Sequence, residues 1–213
     1  MGEGDDFANV LYLPDVERGT LNGGPGSDRL HATAFDVDMR FDAAGEVAYS
    51  GEDARYRFSG FESLDAWSPV LTMVGTAGAD QLEAVGCEVL VEAGAGDDTV
   101  AVTGDDCRIR IAVRGGPGND RLIGSGPGSR LYGEGGDDVL EAWYSLQGSG
   151  GRGNDVARGG SHDDDVRGGP GADLLLGHSG RDVLVGEQGR DTARGGPGRD
   201  VCRAELRTAC EAR

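Results

Sequence analysis

From Gly115 onward the chain repeats itself every nine residues. GGPGNDRLI (115–123), GSGPGSRLY (124–132), GEGGDDVLE (133–141), an irregular AWYSLQGS (142–149), then GGRGNDVAR, GGSHDDDVR, GGPGADLLL, GHSGRDVLV, GEQGRDTAR and GGPGRDVCR (150–203) form ten consecutive units, eight with Asp at the sixth place. Such a period constrains the fold more than local propensity does, because one unit cannot bury its apolar residue alone and must stack on its neighbours. Gly at places one, two and four lets the chain take positive φ and draws carbonyls close together. The three residues around the apolar eighth place make a strand too short for an ordinary sheet partner. Each unit is then half a coil, and two units make a turn of eighteen residues. Eighth-place side chains of two opposed short sheets are expected to meet in a thin core of Leu122, Leu131, Leu140, Val156, Val166, Leu175, Leu184 and Cys202, with Ala193 undersized.

These units, G-G-x-G-x-D-x-U-x with U apolar, resemble the RTX (hemolysin-type) calcium-binding nonapeptide-repeat family. The resemblance implies an all-β fold, a right-handed parallel β-roll or β-helix solenoid in which stacked loops i and i+2 share Ca²⁺. The chemistry agrees, since a hard cation takes six to eight oxygens from carboxylates and backbone carbonyls, more than one nonapeptide supplies. The expected ligands are a first ladder of Asp80, Asp98, Asp120, Asp138, Asp155, Asp173 and Asp191 and a second of Asp164, Asp182 and Asp200. Carbonyls come from turns built on Gly115, Gly116, Gly118, Gly133, Gly168, Gly169, Gly171, Gly177, Gly186 and Gly195. Carboxylates stacked in register without a counter-ion would repel. Ser129 takes a sixth place and 142–149 has lost the loop, so the second edge is expected to be metal-poor before Asp164. At place five, Asp97, Asp137, Asp163, Asn119 and Asn154 read either as extra ligands or as turn formers.

The eighteen-residue ruler continues upstream through degenerate copies ending in Asp80 and Asp98, and Asp98 to Asp120 is a turn with four inserted residues. Gly2–Asp6 and Gly23–Leu30 repeat that longer spacing; their degenerate Asp6 and Asp28 loops read as turn formers, with calcium as the alternative. Residues 31–74 lack the loop and keep strand character, most clearly in the alternating Phe35–Asp42, in Arg55–Phe58 and in the apolar Val70–Val74. Asp28 to Asp80 is close to three turns. The expected organisation is therefore a degenerate solenoid over 1–74, a calcium-binding roll over 75–203 and a C-terminal cap over 204–213. A small separate β-domain is the alternative for the first part.

Acidic residues number 38 against 20 basic ones, all Arg, for a formal charge of −18. This argues against nucleic acid, which needs a positive face, and favours cationic partners. No apolar stretch is long enough for a membrane helix. The glycine loops lack the Lys and following helix of a phosphate loop, and His31, His162 and His178 share no pattern. Four cysteines suit an oxidising compartment. Cys87–Cys107 and Cys202–Cys210 are the expected disulfides, the second folding the tail over the open end of the stack; buried free thiols are the alternative. The expected function is an extracellular, non-enzymatic, monomeric calcium module for structure, secretion or adhesion, with a cell-surface or polysaccharide partner left open. A polysaccharide-active β-helical enzyme and an ice-binding roll are the alternatives.

Overall fold

Short parallel strands stacked on themselves satisfy their backbone groups through the turns above and below, and this arrangement sets the architecture. The computed structural model describes residues 4–11, 19–22, 27–33, 39–42, 47–50, 53–59, 63–68, 70–104 and 110–210. Among these residues all regular structure is β-strand, in one sheet of eleven strands and another of twelve. From Ser63 onward, successive strands fall alternately in the first and second sheet, and neighbours within each sheet are parallel. The register is the repeat: Leu122 pairs with Leu140, Leu175 with Ala193 and Leu184 with Cys202.

The side chains that meet between the sheets are those of the eighth place, with one correction. Val156 is half-buried, and its neighbour Ala157 occupies the core position in register with Leu140 and Leu175. Counting from Gly150 puts Ala157 eighth, so strand geometry overrides the preference for the larger apolar residue. Upstream the core is broader. Strands such as Val70–Val74 and Gln81–Gly86 bury at least two side chains each, Leu71 and Met73 in one and Leu82 and Ala84 in the other. Downstream strands such as Leu174–Leu176 bury one. The irregular unit keeps the stack filled by a substitution of position. Gly148 sits in register between Leu131 and Val166 and offers no side chain. Leu146 is fully buried, and its Cδ1 lies 3.2 Å from where a Cβ on Gly148 would stand.

The upstream part departs from a uniform parallel coil. Met39–Asp42, Val47–Ser50 and Asp53–Ser59 form an antiparallel meander inserted in the twelve-stranded sheet between Gly19–Asn22 and Val70–Val74. In the other sheet Arg29–Thr33 pairs directly with Ser63–Trp67, which pairs with Gln81–Gly86. Asp28 to Asp80 is thus two turns, the first widened by the meander, and not three. The strands of 7–74 join the same two sheets as those downstream. Met1–Glu3, Gly23–Gly26, Phe35–Asp38 and Cys107 lie outside the described residues.

At the C-terminal end Leu206–Thr208 pairs with Thr192–Arg194, and a Cys202–Cys210 disulfide, Cα–Cα 5.8 Å, ties the tail to the last core position. Cys87 is also disulfide-bonded. Leu146→Ala opens the one filled gap in the irregular turn and is expected to cost about 2–5 kcal/mol. Val156→Ala, at a half-exposed place, should cost less than about 1 kcal/mol. Urea unfolding of both variants in saturating calcium checks the order.

Candidate metal centre

Each sixth-place Asp follows the glycine-rich turn and immediately precedes a strand, so the strand stacking brings these carboxylates into register. They are buried: Asp98, Asp120, Asp138, Asp155, Asp173, Asp182, Asp191 and Asp200 are each no more than 2 % exposed. One oxygen of each is occupied by the neighbouring turn. The backbone N–H of Asp80 donates to Asp98 Oδ1, that of Asp98 to Asp120, and so on through Asp138, Asp155, Asp173 and Asp191, at 2.8–3.0 Å. On the second edge the N–H groups of Asp164 and Asp182 donate to Oδ1 of Asp182 and Asp200 at 3.0 Å.

The other oxygen is the telling one. Oδ2 of Asp98, Asp120, Asp138, Asp155, Asp173, Asp182, Asp191 and Asp200 is buried without a hydrogen-bond partner. An unsatisfied buried carboxylate oxygen is costly, and native folds rarely keep one, let alone a column of them. Asp80 and Asp164 are different. Thr76 donates its N–H and its hydroxyl to Asp80 Oδ2 at 2.6 and 2.9 Å, and Gly160 N–H donates to Asp164 Oδ2 at 3.0 Å.

The glycines explain what stands beside the orphaned oxygens. At place one, a Cβ on Gly115, Gly133, Gly168, Gly177, Gly186 or Gly195 would collide with Oδ2 of the Asp in its own loop. At Gly168 the same point lies 2.8 Å from the carbonyl oxygen of Gly186 one turn on, and at Gly177 it lies 2.7 Å from that of Gly195. A carboxylate oxygen and a carbonyl oxygen from successive turns thus converge on the space that the missing side chain leaves. At places two and four, Gly116, Gly118, Gly169 and Gly171 press against carbonyls of the preceding turn, where any Cβ would overlap them. Gly116 does so at φ +116°, a conformation closed to other residues. Among the described residues no three acidic, His or Cys side chains form a metal cluster. The donors available to a cation are therefore mixed carboxylate and carbonyl oxygens, the set a hard divalent ion takes.

Place five belongs to a different system. Asp97 Oδ1 accepts from Asn119 N–H, Asn119 Oδ1 from Asp137 N–H, Asp137 Oδ1 from Asn154 N–H and Asn154 Oδ1 from Ala172 N–H, at 2.7–2.9 Å. These side chains are exposed and hold the turns together, and Asp alternates with Asn so that no two carboxylates adjoin. On the other edge Arg181 neutralises Asp163 at 2.9 Å. The second edge begins as a polar and apolar column: Ser129 and Leu146 stand in register ahead of Asp164, whose Oδ1 accepts from Leu146 N–H at 2.6 Å.

Residues 114–143, 148–175 and 176–205 match the family model of the RTX calcium-binding nonapeptide repeat, in four copies. The segment 114–205 is an RTX calcium-binding repeat array. Its break at 144–147 contains Leu146, the residue that replaces a ladder Asp. RTX repeats bind calcium, and this chain is a β-solenoid that carries them. No curated protein matches the sequence. Two further side chains bonded to the ladder, Thr76 on Asp80 and Glu205, whose Oε2 accepts from Asp191 N–H at 2.9 Å, were not signalled by the repeat. Thr76 stands where a place-two Gly would be, and Glu205 lies fourteen residues after Asp191, off the eighteen-residue ruler.

Burial, and to a smaller degree neighbouring carboxylates, push seven of the ladder carboxyls up, while the backbone N–H bonds oppose this. Asp98, Asp173 and Asp182 are pushed up to about 6 and Asp138 and Asp164 to about 7, with Asp120 and Asp155 also raised. The ordinary value is 3.8. Protonation therefore stabilises the metal-free fold. That contribution is complete below about pH 4 and is lost as pH rises through 6 to 7. In chelator, β-structure should strengthen on acidification from pH 8 to 5; with calcium, the titration midpoint should move to higher calcium over the same change, since protons compete for the ligands. Circular dichroism across this range checks both signs.

Proposed function

We propose that this chain is an extracellular calcium-binding β-solenoid module that completes its folding on meeting Ca²⁺ and serves as a structural element in secretion or adhesion. The observation that carries this reading is the column of buried Oδ2 atoms without partners. A cation in each gap supplies the missing interaction, and since it binds only the stacked form, its binding free energy becomes folding free energy. The ligands are the sixth-place Asp from Asp120 to Asp191 on the first edge and Asp182 and Asp200 on the second, with carbonyls of the place-one glycines. Asp164 contributes at the second edge beside its Gly160 bond. Asp80 is provided for by Thr76, and Ala93 stands at place one of the Asp98 loop, so in this reading the calcium-bearing part starts at Asp120, later than position 75, and 1–74 acts as a broader base with few metal loops.

The extracellular reading is supported by the disulfides and by the ligand chemistry. Stable disulfides belong to oxidising surroundings, and modules of this ligand type work at calcium near 0.1–1 mM, the extracellular range. Chelated protein should show little β-signal over 115–203 and should regain it on adding calcium, as read by circular dichroism of the full chain. Asp173→Asn removes a carboxylate between two stacked neighbours, and Asp200→Asn removes one at the last repeat. The first should raise the calcium midpoint several-fold more than the second, because an interior break separates both sides of a repeat stack. A chelated chain with an unchanged β-spectrum contradicts the reading.

A further inference from the structure

The last repeat ends at Arg203, so the calcium positions beyond Asp191 and Asp200 lack the following turn that the others use. The tail nevertheless places oxygens where that turn would. The N–H of Asp191 donates to Glu205 Oε2 at 2.9 Å, as the N–H of Asp173 donates to Asp191 Oδ1 at 3.0 Å. Leu206–Thr208 then takes the register of the next strand on Thr192–Arg194, so Glu205 stands one residue before it, at the sixth place. Four loop residues are missing between Ala204 and Glu205 compared with a full unit, and the extra methylene of Glu lets its carboxylate reach the rung that Asp reaches elsewhere. On the second edge, the space beside Gly195 is bounded by Asp200 Oδ2 and by the carbonyl oxygen of Ala209. The same space beside Gly177 is bounded by Asp182 Oδ2 and Gly195 O. Asp191 and Asp200 are each 1 % exposed, and their Oδ2 atoms have no partner.

We propose that the tail is a calcium-ligating substitute for the missing turn: Glu205 completes a terminal calcium position with Asp191, Ala209 O completes another with Asp200, and the Cys202–Cys210 disulfide holds both in place. This rests on the calcium reading above and extends it to residues outside the nonapeptide rule. The disulfide is placed to do so. It joins Cys202, in the last core position, to the residue that follows Ala209, and it encloses Glu205 in the bridged segment. Gly195 N–H and Gly196 N–H, bonded to the carbonyls of Thr208 and Ala209 at 3.1 and 3.2 Å, continue the turn-to-turn backbone ladder into the tail.

The test is the number of calcium ions bound per chain, measured by equilibrium dialysis and elemental analysis on the full chain in saturating calcium, with circular dichroism on the same samples. Glu205→Gln should bind one ion fewer than the unaltered chain at the same β-signal. Cys210→Ser should bind two fewer, because it frees both tail ligands. Glu88→Gln, which removes an exposed strand carboxylate outside the Asp ladders and the tail, should leave the number unchanged. An unaltered count in Glu205→Gln overturns the proposal, as does a Glu88→Gln loss equal to that of Glu205→Gln. If Cys210→Ser loses its whole β-signal, Glu205→Gln decides, since its side chain is on the surface. An unaltered chain that binds no calcium contradicts the functional reading itself and the tail's role with it.

Discussion

A line of carboxylates buried in register is the constraint on which this structure turns. Like charges a few ångströms apart in a poorly solvated setting repel strongly, and here each carboxylate also gives up its water. Half of that loss is offset by a backbone N–H from the adjacent turn. The other half falls on Oδ2, which has no donor in eight of the sixth-place residues. The glycine at place one from Gly115 onward follows from this arrangement, because a side chain there would fill the space that the orphaned oxygen and the next turn's carbonyl share, as the methyl of Ala93 does in the Asp98 loop. Thr76 shows the alternative solution within the same molecule. Its hydroxyl and N–H satisfy Asp80 at the upstream margin.

Two hydrogen-bonded columns run along the first loop edge in opposite senses. In the buried column a side chain accepts from the turn before it, and in the exposed column a place-five side chain accepts from the turn after it. Together they fix each turn against both neighbours, so the register does not depend on the thin core alone. This matters most downstream, where the strands from Leu146 to Arg203 each bury a single apolar residue and two of those are Ala157 and Ala193. Upstream, where strands such as Val70–Val74, Gln81–Gly86 and Glu88–Glu92 bury at least two side chains each, apolar burial carries more of the stack. Surface pairs such as Arg121 and Arg158 on Glu141, at 2.6 and 2.8 Å, add little by comparison.

The solenoid, its period and its sixth-place Asp were legible because each repeat states the same requirement again. Ladder register could be counted on the sequence as far as Asp200. What could not be read is what breaks the count. At Val156 and Ala157 the count itself holds, and it is the larger apolar side chain that misleads, since place eight faces inward whatever stands there. The widened turn between Asp28 and Asp80 hides an antiparallel meander, because alternation marks a strand without marking its direction. Leu146 fills the core from a ladder position that the repeat reserves for Asp. Glu205 was hidden by a deleted loop, and the Asn and Asp of place five, which suited either role, prove to bond backbone.

The most direct measurement is anomalous diffraction from crystals of the full chain grown with calcium or soaked with a lanthanide. The account predicts a row of peaks beside the place-one glycines, one per turn at about the 4.8 Å spacing of neighbouring strands, adjoining Oδ2 of Asp120 through Asp191. A second, shorter row should adjoin Asp182 and Asp200. An ordered solenoid with no peaks along these columns, or with peaks only at the exposed place-five side chains, would contradict it.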